Sequence, residues 1–376
     1  MGTLVIYSFG LFAPQFAQDF GWSRGELSLA LTVFNYAIIV SGLIYGLLID
    51  RIGARLIILI STALFALAYG SLAFVSASKL HFYAIFALMA FAGGGTLPVS
   101  YSRIIVSWFD RQRGLALGLA LVGTGVGAAI LPPIIQWLIS TYSWQSAILI
   151  LAGSIMGISL PLSFLLLKPK DHGAQTGSAK RATNPKLPFG RAFWVLVAFS
   201  VLSGMFLIGA IIHFVSILQD RGVSPQTAAG FAAAIGVSVI VGRIGVGFLL
   251  DRLFAPRVVF FLFLGPIIAF LVLRHGSGEA AFLFAALAFG LAQGAEIDII
   301  AYLVSRYFPR EAFGLTYGAL FSAFTVGAAN GPLLLGVLYD RNGDYSQALL
   351  VLAIIASFAA ASTFLMPRYD KDTPPS

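Results

Sequence analysis

Long apolar stretches, separated by short polar segments, run along the whole 376-residue chain. Twelve of them approach the length of about 20 residues at which a helix crosses the hydrocarbon core of a bilayer. The apolar residues are continuous and do not alternate with polar ones, so the pattern favours helices over the strands of a barrel. The predicted helices lie near residues 1–18, 27–49, 56–76, 81–108, 114–139 and 146–168, and near 191–219, 227–250, 257–274, 280–307, 313–339 and 346–367.

The polar segments contain an internal repeat. The turn after the second predicted helix reads Gly-Leu-Leu-Ile-Asp-Arg from Gly46 to Arg51, and the turn after the eighth reads Gly-Phe-Leu-Leu-Asp-Arg from Gly247 to Arg252, 201 residues later. A repeat of this length predicts two pseudo-symmetric six-helix halves, which is one of the known plans of membrane transporters.

One longer polar segment interrupts the apolar pattern near the middle of the chain. It is rich in Lys, Gly, Ser, Thr and Pro, as is typical of a flexible linker. The predicted organisation is an N-terminal half at residues 1–168, a cytoplasmic linker at 169–190, a C-terminal half at 191–367 and a short cytoplasmic tail at 368–376.

Composition supports the membrane assignment independently. The chain is 59% hydrophobic and only 10% charged, and its mean hydropathy is +0.93, whereas about 25% of the residues of a soluble domain are charged. This leaves too little charge to cover a water-exposed surface. The predicted fold class is therefore an all-α, multi-pass membrane protein with twelve transmembrane helices.

The distribution of basic residues predicts an orientation. Of the 23 Lys and Arg residues, 16 fall in segments that lie on the inner side if both termini are cytoplasmic, and five fall in the outer segments. This excess favours cytoplasmic termini, and the compact loops favour a bacterial inner membrane. Because the net charge of +8 is spread over the inner loops, it does not indicate a nucleic-acid partner.

The sequence lacks the residue patterns that predict disulfides, metal sites or ATP-driven transport. The chain has no cysteine, and its four histidines are scattered without the spacing of metal ligands. No glycine-rich phosphate loop followed by Lys and Ser or Thr occurs, so nothing in the sequence predicts ATP-driven transport. We therefore expect no cofactor, no metal and no enzymatic activity, and we expect the protein to be a monomer.

The turn after the second predicted helix has a more specific pattern. Gly46, Asp50, Arg51, Gly53 and Arg55 fit Gly-x3-Asp-Arg-x-Gly-x-Arg. This resembles the signature of the major facilitator superfamily, whose members are transporters with two six-helix lobes. The resemblance implies secondary transport by alternating access.

A second segment resembles one branch of that superfamily. The stretch Trp-Phe-Asp-Arg-Gln-Arg-Gly-Leu-Ala from Trp108 to Ala116, followed by Gly123, Gly127 and Pro132, is similar to the monocarboxylate and oxalate/formate porters. The chain departs from the monocarboxylate transporters in the first helix, where Leu11 stands at the position of their lysine. The resemblance implies a small organic anion as substrate.

The resemblance also implies a role for the repeated turn, which would close the inner side of the transporter without touching the substrate. The residues with this predicted gating role are Asp50, Arg51, Gly53, Arg55, Asp251 and Arg252. A plain inner turn with positive-inside charges is the alternative, and it explains the arginines but not the aspartates.

Arg243 is the strongest candidate for binding a substrate. It lies eight residues before Asp251, or roughly 12 Å from the inner loop at about 1.5 Å per helical residue. A guanidinium at that depth can hold a carboxylate through two parallel hydrogen bonds and does not lose its proton. The resembling porters also keep a substrate-binding arginine in the eighth helix. The alternative is a structural arginine paired with a carboxylate of a neighbouring helix.

The tenth predicted helix carries two acids, Glu296 and Asp298. Because two helical positions differ by about 200°, both side chains cannot face one cavity. Asp298, Tyr302 and Ser305 form the polar stripe that we assign to the cavity, so Glu296 faces a packing neighbour or another polar pocket. Either acid is a candidate proton carrier, and the alternative is a counter-ion for Arg243 or Arg103.

Other polar residues in the predicted helices are weaker candidates. Arg103 is a candidate for proton coupling or for an arginine that extends to the membrane surface. Tyr101, Asn35 and Asn330 are candidate substrate hydrogen-bond partners, although amides and aromatic residues in membrane helices commonly bridge neighbouring helices. His213 is interpreted as a packing histidine in preference to a proton relay.

These features together predict a secondary transporter of a small organic anion, a monocarboxylate or a dicarboxylate. The anion would move with a proton or in exchange for another anion. A drug or sugar carrier of the same fold is the alternative among transporters, and a membrane-embedded receptor or sensor is the alternative outside them.

Overall fold

The computed structural model describes residues 2–97, 100–101, 104, 113–167, 189–276, 278–309 and 312–367. Within these residues the secondary structure is helical and no strand occurs. The predicted all-α fold with twelve helices is confirmed. The helices are α1 Gly2–Phe20, α2 Arg24–Ile52, α3 Ala54–Ser71, α4 Lys79–Gly93, α5 Arg113–Thr141, α6 Trp144–Leu166, α7 Arg191–Gln219, α8 Pro225–Arg252, α9 Ala255–His275, α10 Glu279–Tyr307, α11 Phe313–Asn342 and α12 Ser346–Ser362.

Most of these helices can cross a bilayer. Among the described residues, ten helical segments are long and apolar enough to do so, which confirms the prediction of a multi-pass membrane protein. Helix α1 is not one of the ten, since polar residues such as Gln15, Gln18 and Asp19 interrupt its last two turns. Helix α4 is not one either, because it is 15 residues long.

The early end of α4 corrects the predicted helix near 81–108. The α-helix ends at Gly93 and a 3₁₀ turn follows at Gly94–Thr96. The cause is close packing, since a Cβ atom on Gly94 would clash with the ring of Tyr45 and one on Gly95 would clash with the side chain of Ser61. Three consecutive glycines permit this approach but weaken the helix. Most of the residues beyond it, including the motif that begins at Trp108, lie outside the described residues.

The described parts of the chain form two compact units. The first contains Met1–Asp171 and Ile212–Ala233, and the second contains His172–Ile211 and Ala234–Ser376. The predicted linker, except for its last two residues, and the predicted tail lie outside the described residues. The division into six-helix halves and the orientation in the membrane therefore stay predictions, and each unit is described by itself.

The first unit has an aromatic core at one end of its helices. The ring of Phe16 packs edge-on against Trp144 and Phe82, with centroids 5.0 and 5.4 Å away, and Trp22 lies 4.9 Å from Phe82. The indole Nε1 of Trp144 donates a hydrogen bond of 2.6 Å to the Asp19 carboxylate. This bond joins the end of α1 to the start of α6.

Replacing Trp144 by phenylalanine should keep the aromatic packing but remove the hydrogen-bond donor. Hydrogen bonds to charged groups contribute about 1.5–3 kcal/mol, and we expect a loss near the lower figure because the Asp19–Trp144 contact is part-buried. Thermal unfolding in detergent would measure it. Trp137→Phe is the matched control, since Trp137 is 57% exposed. Equal melting temperatures for the two variants would contradict the prediction.

In the second unit, glycines bring α8 and α10 into backbone contact. A Cβ atom on Gly290 would clash with the Ile235 carbonyl oxygen, and one on Gly294 would clash with the Val239 carbonyl oxygen. Both contacts join residues 55 positions apart, so α8 and α10 run parallel and keep one register. The spacing Gly-x3-Gly lets membrane helices approach closely. Four residues further along both helices, the same offset of 55 pairs Arg243 with Asp298.

Candidate functional site

The α8–α10 register places Arg243 against Asp298. The Arg243 Nη1 atom lies 3.4 Å from both carboxylate oxygens of Asp298. The Arg243 side chain is 9% exposed and the Asp298 side chain is 35% exposed. The arginine of this pair is therefore nearly buried, and the aspartate is partly exposed.

The pair is longer than a strong ionic hydrogen bond. Arg–carboxylate bonds of the bidentate type are usually about 2.7–2.9 Å long, whereas both distances here are 3.4 Å. The Arg243 Nε atom is buried and has no hydrogen-bond partner among the described residues. The guanidinium therefore retains an unused donor.

Glu296 lies deeper in the helix packing than Asp298. It is 0% exposed, and within the described part of the chain neither of its carboxyl oxygens accepts or donates a hydrogen bond. Burying a polar group without a partner costs about 1–3 kcal/mol, and more when the group is charged. The free energy of packing around Glu296 therefore depends on whether its carboxyl group is protonated.

Further polar atoms on α10 and α11 are buried in the same manner. The atoms that lack a hydrogen-bond partner within the described residues are Gln293 Oε1 on the turn before Glu296, Tyr302 Oη on the turn after Asp298, and Thr316 Oγ1 at the start of α11. Such unsatisfied groups are rare in folded proteins. Their concentration on two adjoining helices marks this region as a candidate binding site.

Tyr317 on α11 belongs to the same cluster, and the sequence analysis missed it. It lies close enough to Glu296, Asp298 and Arg243 to interact electrostatically with all three. Its ring stacks on Phe321 with centroids 6.3 Å apart and an angle of 27°. Nothing in the spacing of Tyr317 distinguishes it from other aromatic residues, and only the packing of α10 against α11 reveals it.

The residues of the predicted polar stripe on α10 have different surroundings in the structure. Tyr302 places its ring 5.1 Å under the Arg306 guanidinium, while its hydroxyl group is buried. Ser305 is exposed and donates its hydroxyl hydrogen to the Tyr302 carbonyl oxygen at 2.7 Å. Of the three residues, Asp298 is therefore partly exposed, Tyr302 has a buried hydroxyl group, and Ser305 bonds to its own helix.

Three of the weaker candidates lie within the described residues. Asn35 and Tyr101 are half-buried residues of the first unit, and Asn330 is a half-buried residue of the second. The side-chain amides of Asn35 and Asn330 each donate to the carbonyl oxygen four residues earlier, at 2.9 and 2.8 Å. Their role in substrate binding stays a prediction. Arg103 lies outside the described residues.

His213 has a buried partner, as a packing histidine would. Its Nε2 atom lies 3.1 Å from the Ser28 hydroxyl oxygen, and the residue is 4% exposed. One turn from Ser28 along α2, Arg24 forms an ion pair with Asp220 at the end of α7. These two polar contacts join α2 to α7 within the first unit.

The structure also locates part of the predicted gating turns. Gly53 separates α2 from α3 at a φ of 93°, a conformation that favours glycine. Arg55 donates a hydrogen bond of 2.9 Å to the Phe164 carbonyl oxygen. Arg51 and Arg252 are exposed. The side chains of Asp50 and Asp251 lie outside the described part of the structure, so the gating role stays a prediction.

Known proteins resemble this chain over its full length. Monocarboxylate transporter 11 of Mus musculus is 28% identical over 384 residues, which cover 97% of this chain and 84% of that protein. The probable sulfoacetate transporter SauU of Cupriavidus necator is 22% identical over 397 residues, which cover 96% of this chain and 90% of that protein.

Solved structures share the fold. A mutant of the nucleoside transporter NupG superposes with a TM-score of 0.75 at 15% sequence identity, over 98% of this chain and 96% of that one. The family model described as Major Facilitator Superfamily matches residues 1–280. Because that match covers well over half of the chain, the protein belongs to the Major Facilitator Superfamily.

Proposed function

We propose that this transporter moves a small organic anion, a monocarboxylate, together with a proton. The observation that carries the proposal is the ion pair between Arg243 and Asp298. A buried arginine needs a negative partner, and here that partner is held at 3.4 Å from a guanidinium with an unused donor.

The substrate carboxylate takes over the contact that Asp298 makes. A planar guanidinium presents paired donors that match the two oxygens of a carboxylate. When the substrate binds, Arg243 exchanges a long contact to Asp298 for a shorter bidentate one. The Tyr302 hydroxyl and the Tyr317 ring, on α10 and α11, complete the polar surroundings of the anion.

Glu296 carries the proton in this proposal. The residue is fully buried and has no hydrogen-bond partner among the described residues, so a charge there is costly. Protonation of Glu296 adds one positive charge when the anion adds one negative charge, so the net charge of the site does not change. A single anion then crosses the membrane with a single proton, and no net charge moves.

The relatives support an anionic substrate. Two of the proteins that match the whole chain carry names that refer to monocarboxylates and to sulfoacetate. Both names denote organic anions, which agrees with an arginine at the centre of the site. The likeness to NupG, at 15% identity, supports the fold and does not bear on the substrate.

Uptake into proteoliposomes tests the proposal directly. The purified protein would be reconstituted and offered labelled lactate, sulfoacetate and, as a neutral comparison, uridine, with and without an acidic exterior. We expect the pH gradient to accelerate uptake of one of the acids, a protonophore to abolish that acceleration, and uridine to stay outside. Transport of uridine alone, or acid uptake that ignores the gradient, would overturn the proposal of proton-coupled anion transport.

Replacing Glu296 by glutamine should separate substrate movement from proton movement. The amide has nearly the same shape but cannot exchange a proton, so accumulation driven by the pH gradient should fall to the level reached without a gradient. Exchange of labelled for unlabelled substrate should continue within about twofold.

Glu279→Gln is the matched control for this substitution, because Glu279 is an exposed glutamate in the first turn of the same helix. It should leave both rates unchanged. If Glu296→Gln accumulated substrate as well as the unmodified protein, Glu296 would not be the proton carrier.

A further inference from the structure

A groove lies on the second unit where α8 ends and α9 begins. Its volume is about 330 Å³, and apolar side chains from both helices line it, among them Val246, Leu249 and Leu253 of α8 and Phe261 of α9. Leu253 is 51% exposed and Phe261 is 68% exposed. The groove is therefore open at the surface of the protein and is not a part of its core.

The groove lies at the level where the apolar spans stop. The spans of α8 and α9 run over Pro225–Leu250 and Ala255–His275, so the residues between them lie at the boundary between hydrocarbon and headgroups. An apolar surface exposed at this depth contacts lipid acyl chains.

An arginine lies in the lining of the groove. Among the described residues of that lining, Arg257 is the one charged side chain, and it is exposed. Arg252, at the end of α8, lies with its guanidinium 3.8 Å from the centre of the Phe248 ring. Neither arginine is in an ion pair with a described residue. One exposed guanidinium group therefore lies in the groove, and a second lies next to its lining residue Leu253.

We infer that this groove binds an anionic phospholipid of the surrounding bilayer. One acyl chain lies along the apolar side chains of α8 and α9, and the phosphate of the headgroup contacts Arg257. Basic pockets between membrane helices bind anionic headgroups in this way. The inference does not depend on the transported substrate, because Arg257 is not part of the Arg243 site.

Native mass spectrometry of the purified protein tests the inference. The protein in detergent would be titrated with dioleoylphosphatidylglycerol and, separately, with dioleoylphosphatidylcholine, which has the same acyl chains and no net charge. We expect the anionic lipid to bind more tightly and Arg257→Gln to weaken its binding about fivefold, as expected for about 1 kcal/mol per basic residue. The zwitterionic lipid should be affected little.

Two further variants make the outcome unambiguous. Leu249→Trp fills the groove and should weaken both lipids, whereas Arg191→Gln removes an exposed arginine at the start of α7, away from the groove, and should change neither. Equal binding of the two lipids to the unmodified protein, or an equal loss in Arg191→Gln and Arg257→Gln, would overturn the inference. So would a stable dimer that Leu249→Trp dissociates, because the occupant would then be a second copy of the chain.

Discussion

Replacing Arg243 by glutamine should reduce carboxylate uptake about a hundredfold. The substitution removes the charge that a substrate carboxylate would bind, and bonds between charged groups contribute about 1.5–3 kcal/mol each, so the loss of a bidentate contact approaches two factors of ten. Arg243→Lys should lose about tenfold, because an ammonium keeps the charge but not the planar pair of donors. Initial uptake rates in proteoliposomes would measure both effects.

The alternative role of Arg243 as a structural partner of Asp298 makes a different prediction for the double variant. If the pair were only structural, Arg243→Gln combined with Asp298→Asn would replace two charges by two amides and restore transport. If Arg243 holds the substrate, the double variant stays inactive although it folds. Arg341→Gln, at an exposed arginine near the end of α11, is the control for a general effect of lost positive charge.

Replacing Gly294 by leucine should destabilise the second unit and also abolish transport. A side chain at this position would clash with the backbone of Val239 on α8, and overpacking of a close contact costs about 1–3 kcal/mol. Separating α8 from α10 would also move Arg243 away from Asp298, since the pair continues the same register. Melting temperature and uptake should therefore fall together.

Gly318→Leu provides the comparison for this experiment. Gly318 lies on α11, and a Cβ atom there would meet no other atom within 4 Å. The variant should fold and melt like the unmodified protein. Equal stability of the Gly294 and Gly318 variants would mean that the α8–α10 contact does not hold the two helices together.

The positions of the membrane helices could be predicted well from the sequence, because the thickness of a bilayer sets how long an apolar stretch must be. The predicted helix near 81–108 was too long for a physical reason. Glycines are tolerated within membrane helices when neighbours support the backbone, so the sequence does not reveal that Gly94 and Gly95 lie against neighbouring side chains and end the regular helix.

The candidate site was only partly predictable. Arg243 and Asp298 were identified singly, because a charge in an apolar stretch is conspicuous. Their pairing was one alternative beside a pair with Glu296 or Arg103, since a sequence does not show which helices are neighbours. A signal was nevertheless present, because Asp298 continues the spacing of Gly290 and Gly294 by one further step of four residues. For Tyr317 no comparable signal existed.

The register of α8 and α10 also has a consequence for changing the selectivity of the transporter. Since Gly290 and Gly294 fix the helix spacing and Asp298 stands one step beyond them, we expect that the residue at 298 can vary in charge or size without altering the distance between the two backbones. In the proposed site, helix spacing and ligand choice then depend on separate positions of one stripe. A library at position 298 would test this by searching for new substrates on an unchanged scaffold.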